Sequence, residues 1–281
     1  MRELQAAAIT DAVSRLAKEA CYFLPKDVVD KFDSALESEE SETGRDILSQ
    51  LRENVRIADA EEVPLCQDTG FTVVFMEIGQ DVHVTGGDLN EAVNEGVRRG
   101  YEEGYLRKSM VTQPFGERKN TGDNTPAIIH SSIVPGEQVR IILLPKGGGA
   151  ENMSALAMLK PSQGRQGVVD FVLNTISNAG PNACPPLIIG VGVGGSFDKV
   201  AYLAKKAILR EVGSRNPEPH LAELEDELER RANDLGIGPM GMGGRTTVMD
   251  VFVEEYPTHI AALPVGVNIQ CHSARHKEVI L

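Results

Sequence analysis

The chain has 281 residues, with 41 acidic side chains against 28 basic ones and a net charge of −13. That balance excludes nucleic acid as a partner, because phosphate binding needs a basic surface, and any anionic small molecule needs a local cationic pocket to enter. No apolar run approaches the ~20 residues of a membrane span and residues 1–5 do not begin a secretory signal, so the expected compartment is the cytoplasm, where thiols stay reduced.

The first sixty residues carry helical periodicity. Leu4, Ile9, Val13, Leu16 and Ala20 mark one face, which Pro25 closes. A short second helix follows, and a third over about 45–60 sets Ile47, Leu51 and Val55 on one side. Glycine and proline are scarce before Gly44 and abundant after it. This shift marks a helical segment placed on an α/β body with no linker between them.

Residues 71–78 are rich in β-branched and aromatic side chains and predict a strand. Asp88 caps a helix carrying Leu89, Val93, Val97, Tyr101 and Tyr105, which delivers Arg107 and Lys108 at its end. Residues 127–134 and 138–144 predict two strands joined by Pro135-Gly136, a pair suited to a type II turn. A helix over 164–178 leads to Cys184, a buried strand over 186–191 follows, and a helix over 196–212 comes next. A charged helix over 221–235, a strand over 246–254 and the apolar run 260–267 complete the pattern. The expected fold class is α/β, with a mixed β-sheet body, surrounding helices and an N-terminal helical segment. One domain is expected over 1–281, with residues 1–60 helical and 61–281 forming the body. The acidic runs 37–42 and 218–229 are expected to be solvated faces without function.

The chemistry-bearing stretch is Asn268-Ile269-Gln270-Cys271-His272-Ser273-Ala274-Arg275-His276-Lys277, which packs a thiol, two imidazoles and two cations into ten residues. Cys66, in Leu65-Cys66-Gln67-Asp68-Thr69-Gly70, and Cys184, in Pro181-Asn182-Ala183-Cys184-Pro185-Pro186, also sit at loop edges among polar or turn-forming neighbours. A free cysteine usually behaves as a small buried hydrophobe, and Cys21, inside the first helix, fits that description. The other three do not. None forms a C-x-x-C pair, so zinc-knuckle and thioredoxin patterns are missing. Three isolated thiols suit a cluster held by three cysteines, with one iron left open as a Lewis acid.

Gly190-Val191-Gly192-Val193-Gly194-Gly195 matches G-x-G-x-x-G between a strand and a helix. The second strand with a terminal acidic residue that a dinucleotide fold requires is missing, and Gly236-Ile237-Gly238-Pro239-Met240-Gly241 repeats the pattern in a loop. Close packing of backbone against a neighbour is the expected reason for both.

Together, the Cys66 stretch, Lys146-Gly147-Gly148-Gly149-Ala150-Glu151-Asn152, the Cys184 stretch and the Cys271 stretch resemble the class I, iron–sulfur fumarate hydratases. Within them the chain is similar to the α subunit of the two-subunit form, or to the N-terminal domain of the single-chain form. L-tartrate dehydratase α subunits share the pattern, and the likeness runs from about residue 59 to the C-terminus. The resemblance implies that Cys66, Cys184 and Cys271 hold a [4Fe–4S] cluster. It implies that Gln67, Arg107 and the Gly148 and Gly149 backbone bind substrate, with Asp68 and His259 handling protons or orientation. These roles are physically sensible, since an Arg can grip a carboxylate in bidentate fashion and successive N–H groups around Gly148 can form an anion nest. Taken without the family, Arg107 complements a helix dipole equally well and His259 is an ordinary structural histidine. His272 and His276 receive no role.

The implied activity is hydration of a small dicarboxylate, fumarate to malate, with tartrate dehydration as the alternative. The rival from another class is a structural zinc protein using the three thiols with His272 or His276, and a third reading is a glycine-rich binding module with buried thiols. Cys271 lies ten residues from Leu281, and Arg107 is the one cation placed beside the substrate. A buried second carboxylate left unpaired would cost several kcal/mol. A β subunit supplying further cations is therefore expected, in an α2β2 assembly.

Overall fold

Leu4 leaves the helical face on which the periodicity puts it. In the computed structural model, which describes residues 1–281, Arg2–Gln5 form a short strand, β1, paired in parallel with β3 (Val82–Thr85). Leu4 is buried from that strand, and helix α1 (Ala6–Tyr22) begins after it.

The chain divides into two units, each with its own four-stranded mixed sheet. The first comprises Met1–Pro25, Asn54–Gly148 and Arg275–Leu281, and the second Lys26–Glu53 and Gly149–Ala274. The expected helical segment is therefore shared between them. Helix α1 belongs to the first, α2 (Lys26–Ser38) to the second, and α3 (Glu42–Glu61) is divided at Glu53.

In the first unit β2 (Phe71–Gly79) is central. Five consecutive residues, 72–76, are buried, as expected for a strand covered on both faces. It pairs in parallel with β4 (Ile128–Val134) and antiparallel with β5 (Val139–Lys146), and β10 (Lys277–Ile280) lies outside β5. The two strands joined by Pro135-Gly136 thus flank β2 and do not form a hairpin with each other. Their connection crosses the end of β2, where the Gly79 and Asp81 N–H groups donate to Gln138 (2.8 Å) and Gly136 (3.1 Å) carbonyls. Helix α4 (Leu89–Glu103) is capped by Asp88, whose carboxylate accepts from the Glu91 N–H at 2.9 Å. It packs tightly on α1, because a Cβ at Gly96 would stand 2.6 Å from that of Val13.

In the second unit the order is β6 (Ala155–Leu159), β9 (Leu263–Gln270), β7 (Leu187–Gly194), β8 (Val248–Tyr256), with only β7–β8 parallel. Alternation along β7 separates its two faces. Leu187, Ile189 and Val191 pack with α6 (Gly164–Ala179) and α8 (Pro219–Asn233). Gly190 and Gly192 meet α7 (Phe197–Ala207), where added Cβ atoms would stand 2.1 Å from the Ala204 oxygen and 2.4 Å from that of Val200. The first glycine pattern is thus a close helix–strand contact, as expected. The second shows the same cause, with Gly241 packed on Pro181.

The observed class is α/β with mixed sheets and surrounding helices, and no helix is long and apolar enough to cross a membrane. The acidic runs are not uniformly solvated. Glu39 is 2% exposed and Glu225 fully buried, each because backbone N–H groups converge on its carboxylate.

Candidate active site

In the first unit, Asp68 is the hub. Its Oδ1 accepts from the Gly70 N–H and its Oδ2 from the Gly148 N–H, both at 2.9 Å. Gly70 has φ +72°, and a Cβ there would stand 2.5 Å from the Lys146 carbonyl oxygen, so only glycine allows this approach. The buried Arg275 donates from Nη1 to the Asp68 carbonyl at 2.8 Å. One N–H of the expected anion nest is thus already satisfied by a carboxylate of this chain.

Gln67 and Arg107 are both exposed, with Arg107 Nη1 3.5 Å from Gln67 Oε1, at the outer edge of hydrogen bonding. Arg107 is held through its backbone, whose carbonyl accepts from Thr69 Oγ1 at 3.0 Å. The following residues are fixed by Asn124, fully buried, whose Oδ1 accepts from the Ser109 and Met110 N–H groups and whose amide donates to the Gly70 carbonyl. The Arg107 head is left reaching solvent from a rigid base.

In the second unit, Cys184 and Cys271 come together. The His272 N–H donates to the Cys184 carbonyl at 3.3 Å, and its Nδ1 lies 3.1 Å from the same oxygen. A carbonyl only accepts, so Nδ1 carries the proton. The His272 ring also meets Phe32 edge-on at 6.4 Å between centroids. Cys184 has φ 56°, a left-handed conformation that is costly for a residue with a side chain. Gln270 donates to the Ser273 carbonyl at 3.1 Å and shapes the turn that carries Cys271.

Glu151 ties two motifs together here, since its carboxylate accepts from Asn268 (2.9 Å) and pairs with Lys205. Gly149 is exposed and stands close to the Asn182 carbonyl. His259 lies on an exposed loop, with its Nδ1 accepting from the Ala261 N–H at 3.1 Å.

The cysteines separate by environment. No disulfide joins them; Cys66, Cys184 and Cys271 are partly exposed, while Cys21 is sealed in α1. Burial pushes the Cys21 thiol up to about 11, against the thiolate form that a metal needs. Three accessible thiols and one inert one fit the donor set of a three-cysteine cluster. No group of three His, Cys, Asp or Glu side chains is gathered as ligands of a single ion.

Comparison with known proteins places the whole chain. The family model described as fumarate hydratase (Fumerase) matches residues 10–280. The chain belongs to the fumarate hydratase family. It is 44% identical over 271 residues to the putative L(+)-tartrate dehydratase subunit alpha of Methanocaldococcus jannaschii, covering 95% of each chain. It is 34% identical over 276 residues to the L(+)-tartrate dehydratase subunit alpha of Escherichia coli K12, covering 97% of this chain and 90% of that one.

For a fumarate hydratase family chain, the residues that sequence reasoning passed over are Arg275, Asn124 and Glu39. Arg275 belongs to the Cys271 stretch, and its being an arginine beside two histidines was the available signal. Asn124 and Glu39 stand in unremarkable polar loops and carried none.

Proposed function

We propose that this chain is the α subunit of an iron–sulfur hydro-lyase acting on a small four-carbon dicarboxylate. Cys66, Cys184 and Cys271 are the thiolates that hold a [4Fe–4S] cluster. When bound, such a cluster supplies an open iron that acts as a Lewis acid toward a substrate hydroxyl. The observation that carries the reading is the hydrogen-bonded pairing of the Cys184 and Cys271 loops through His272, in a chain of this family.

The chain's own residues then divide the work. Arg107 grips one carboxylate, with Gln67 beside it to orient the guanidinium. The Gly148 and Gly149 backbone bounds the substrate where no side chain intrudes. Asp68 holds that backbone in place through the Gly148 N–H and orients what binds there. His259, exposed on its loop, is the candidate to exchange a proton with substrate.

Two substrates are carried forward. The motif resemblance favours fumarate and malate, whereas the names of the relatives at 44% and 34% identity favour L(+)-tartrate. Both are dicarboxylates and both reactions move water across adjacent carbons. Those relatives are named alpha subunits, which supports a β subunit as partner. In this proposal that subunit contributes further cations, in an α2β2 assembly.

The deciding experiment is anaerobic co-expression with the partner subunit, iron and sulfide determination, and assay on fumarate, malate and L(+)-tartrate. A brown protein active on the fumarate–malate pair or on L(+)-tartrate, with little activity in the reconstituted chain alone, is the expected result. A colourless zinc protein would overturn the reading.

A further inference from the structure

We propose that Glu39 is a positioning residue for the Cys184 thiol, acting through the glycine-rich loop 236–247; its functional meaning rests on Cys184 being a cluster ligand. All of the contacts involved lie within the second unit.

The loop's own hydrogen bonds, from the Gly241 N–H to the Gly238 carbonyl (3.0 Å) and from the Gly243 N–H to the Ile237 carbonyl (2.9 Å), close only its turns. Gly236, Gly238, Met240, Gly241, Gly243 and Gly244 all have left-handed φ values, from 51° to 122°. Glycine loses more conformational freedom on ordering than any other residue, so such a run needs external anchors. Beside Asn233, whose Oδ1 accepts from the Thr247 and Val248 N–H groups at 2.9 Å, Glu39 is the anchor at the C-terminal end of the loop. Its Oε1 accepts from the Arg245 N–H (2.8 Å) and the Ser41 N–H (3.0 Å), and its Oε2 from the Thr246 N–H (2.8 Å). Three converging donors require an acceptor-only group. A Cβ at Gly244 would stand 2.7 Å from Glu39 Oε1, so glycine is needed for the carboxylate to come this near.

The middle of the loop, together with Thr247 next to the Glu39 contacts, brackets Cys184. The Met240 N–H donates to the Pro185 carbonyl at 2.8 Å, and the Thr247 carbonyl accepts from the Leu187 N–H at 2.9 Å. Gly241 lies against Pro181, where an added Cβ would be 2.4 Å from the proline Cβ. Contacts at 181, 185 and 187 thus surround a residue whose own backbone is strained at φ 56°. Strained conformations persist only where their surroundings over-determine them. The loop does so for Cys184, and Glu39, with Asn233, does so for the loop.

The test uses the full chain without cluster, treated with iodoacetamide and read cysteine by cysteine by peptide mass spectrometry. Cys66, in the other unit, is the internal control. Glu39→Gln turns an amide N–H₂ toward N–H donors and should raise the Cys184 rate relative to Cys66 by about tenfold, as expected for losing one charge-assisted hydrogen bond. Gly241→Ala breaks the opposite link with Glu39 intact and should act in the same direction, so it decides the matter should Glu39→Gln fail to fold. A folded variant of either kind with an unchanged ratio overturns the proposal. A general loss of stability would move both thiols together and would also overturn it. Full iron content in a reconstituted Cys184→Ser chain would instead overturn the ligand assignment and leave the coupling between Glu39 and Cys184 standing.

Discussion

Asp68 and Gly148, eighty positions apart, are joined by a 2.9 Å hydrogen bond from the glycine N–H to the Asp68 carboxylate. The same carboxylate holds the Gly70 N–H, so it clamps the start of β2 to the end of β5. The two segments it joins carry Gln67 and Gly148, two of the proposed substrate contacts.

Asp68→Asn leaves one acceptor oxygen for two N–H donors. The thermal midpoint of the cluster-free chain should fall by the equivalent of roughly 1.5–3 kcal/mol, the worth of one hydrogen bond to a charged group. Activity of the assembled enzyme should fall with it. An unchanged melting curve with activity lost would mark Asp68 as a proton carrier and not a clamp.

Acid should act on Glu39. Burial alone would raise its pKa, but the N–H groups of Arg245, Ser41 and Thr246 outweigh burial and bring it down to about 2 from an ordinary 4.5. A depressed carboxylate pKa contributes stability in full above the unfolded value and loses it as pH falls. The second unit should therefore weaken from about pH 4.5 down to about 2, by on the order of 3 kcal/mol in all. Stability measured against pH by urea denaturation checks this, and the slope over that window should flatten in Glu39→Gln.

Serine at Cys66, Cys184 or Cys271 should each abolish retention of a full cluster, whereas Cys21→Ser should leave iron and sulfide counts unchanged. Cys21 has no exposed surface and a thiol pushed up to about 11 by burial, so it makes a poor ligand. Metal analysis of the four reconstituted variants settles the assignment. Normal iron in any of the first three removes that thiol from the set.

Gly190→Ala should cost about 1–3 kcal/mol, because its methyl would stand 2.1 Å from the Ala204 carbonyl oxygen and overpack the contact between α7 and β7. Calorimetric titration with NAD should give no heat in either form of the chain. Heat in the unmodified chain that disappears in the variant would restore a dinucleotide role to this glycine pattern.

Local pattern and local chemistry were sufficient for much of this protein. The apolar spacing of α1, the β-branched run of β2 and the cap at Asp88 each depend on neighbours within a few residues, so they were legible before folding. The unusual polar settings of Cys184 and Cys271 were legible too, and so was the packing role of Gly190 and Gly192, once the second half of a dinucleotide site was missing. What only the tertiary structure decided is which groups meet across long separations. Strand order around β2 placed β4 and β5 on its opposite edges, although the two are joined directly through Pro135-Gly136. Folding brought Arg275 onto Asp68 across 207 positions. It also drew Glu39 out of an acidic run that looked solvated and onto backbone donors at Arg245 and Thr246. The physical reason is common to all three. A charge or a strand edge is satisfied by whatever backbone donor or neighbour the fold presents, and no spacing rule along the chain encodes that partner.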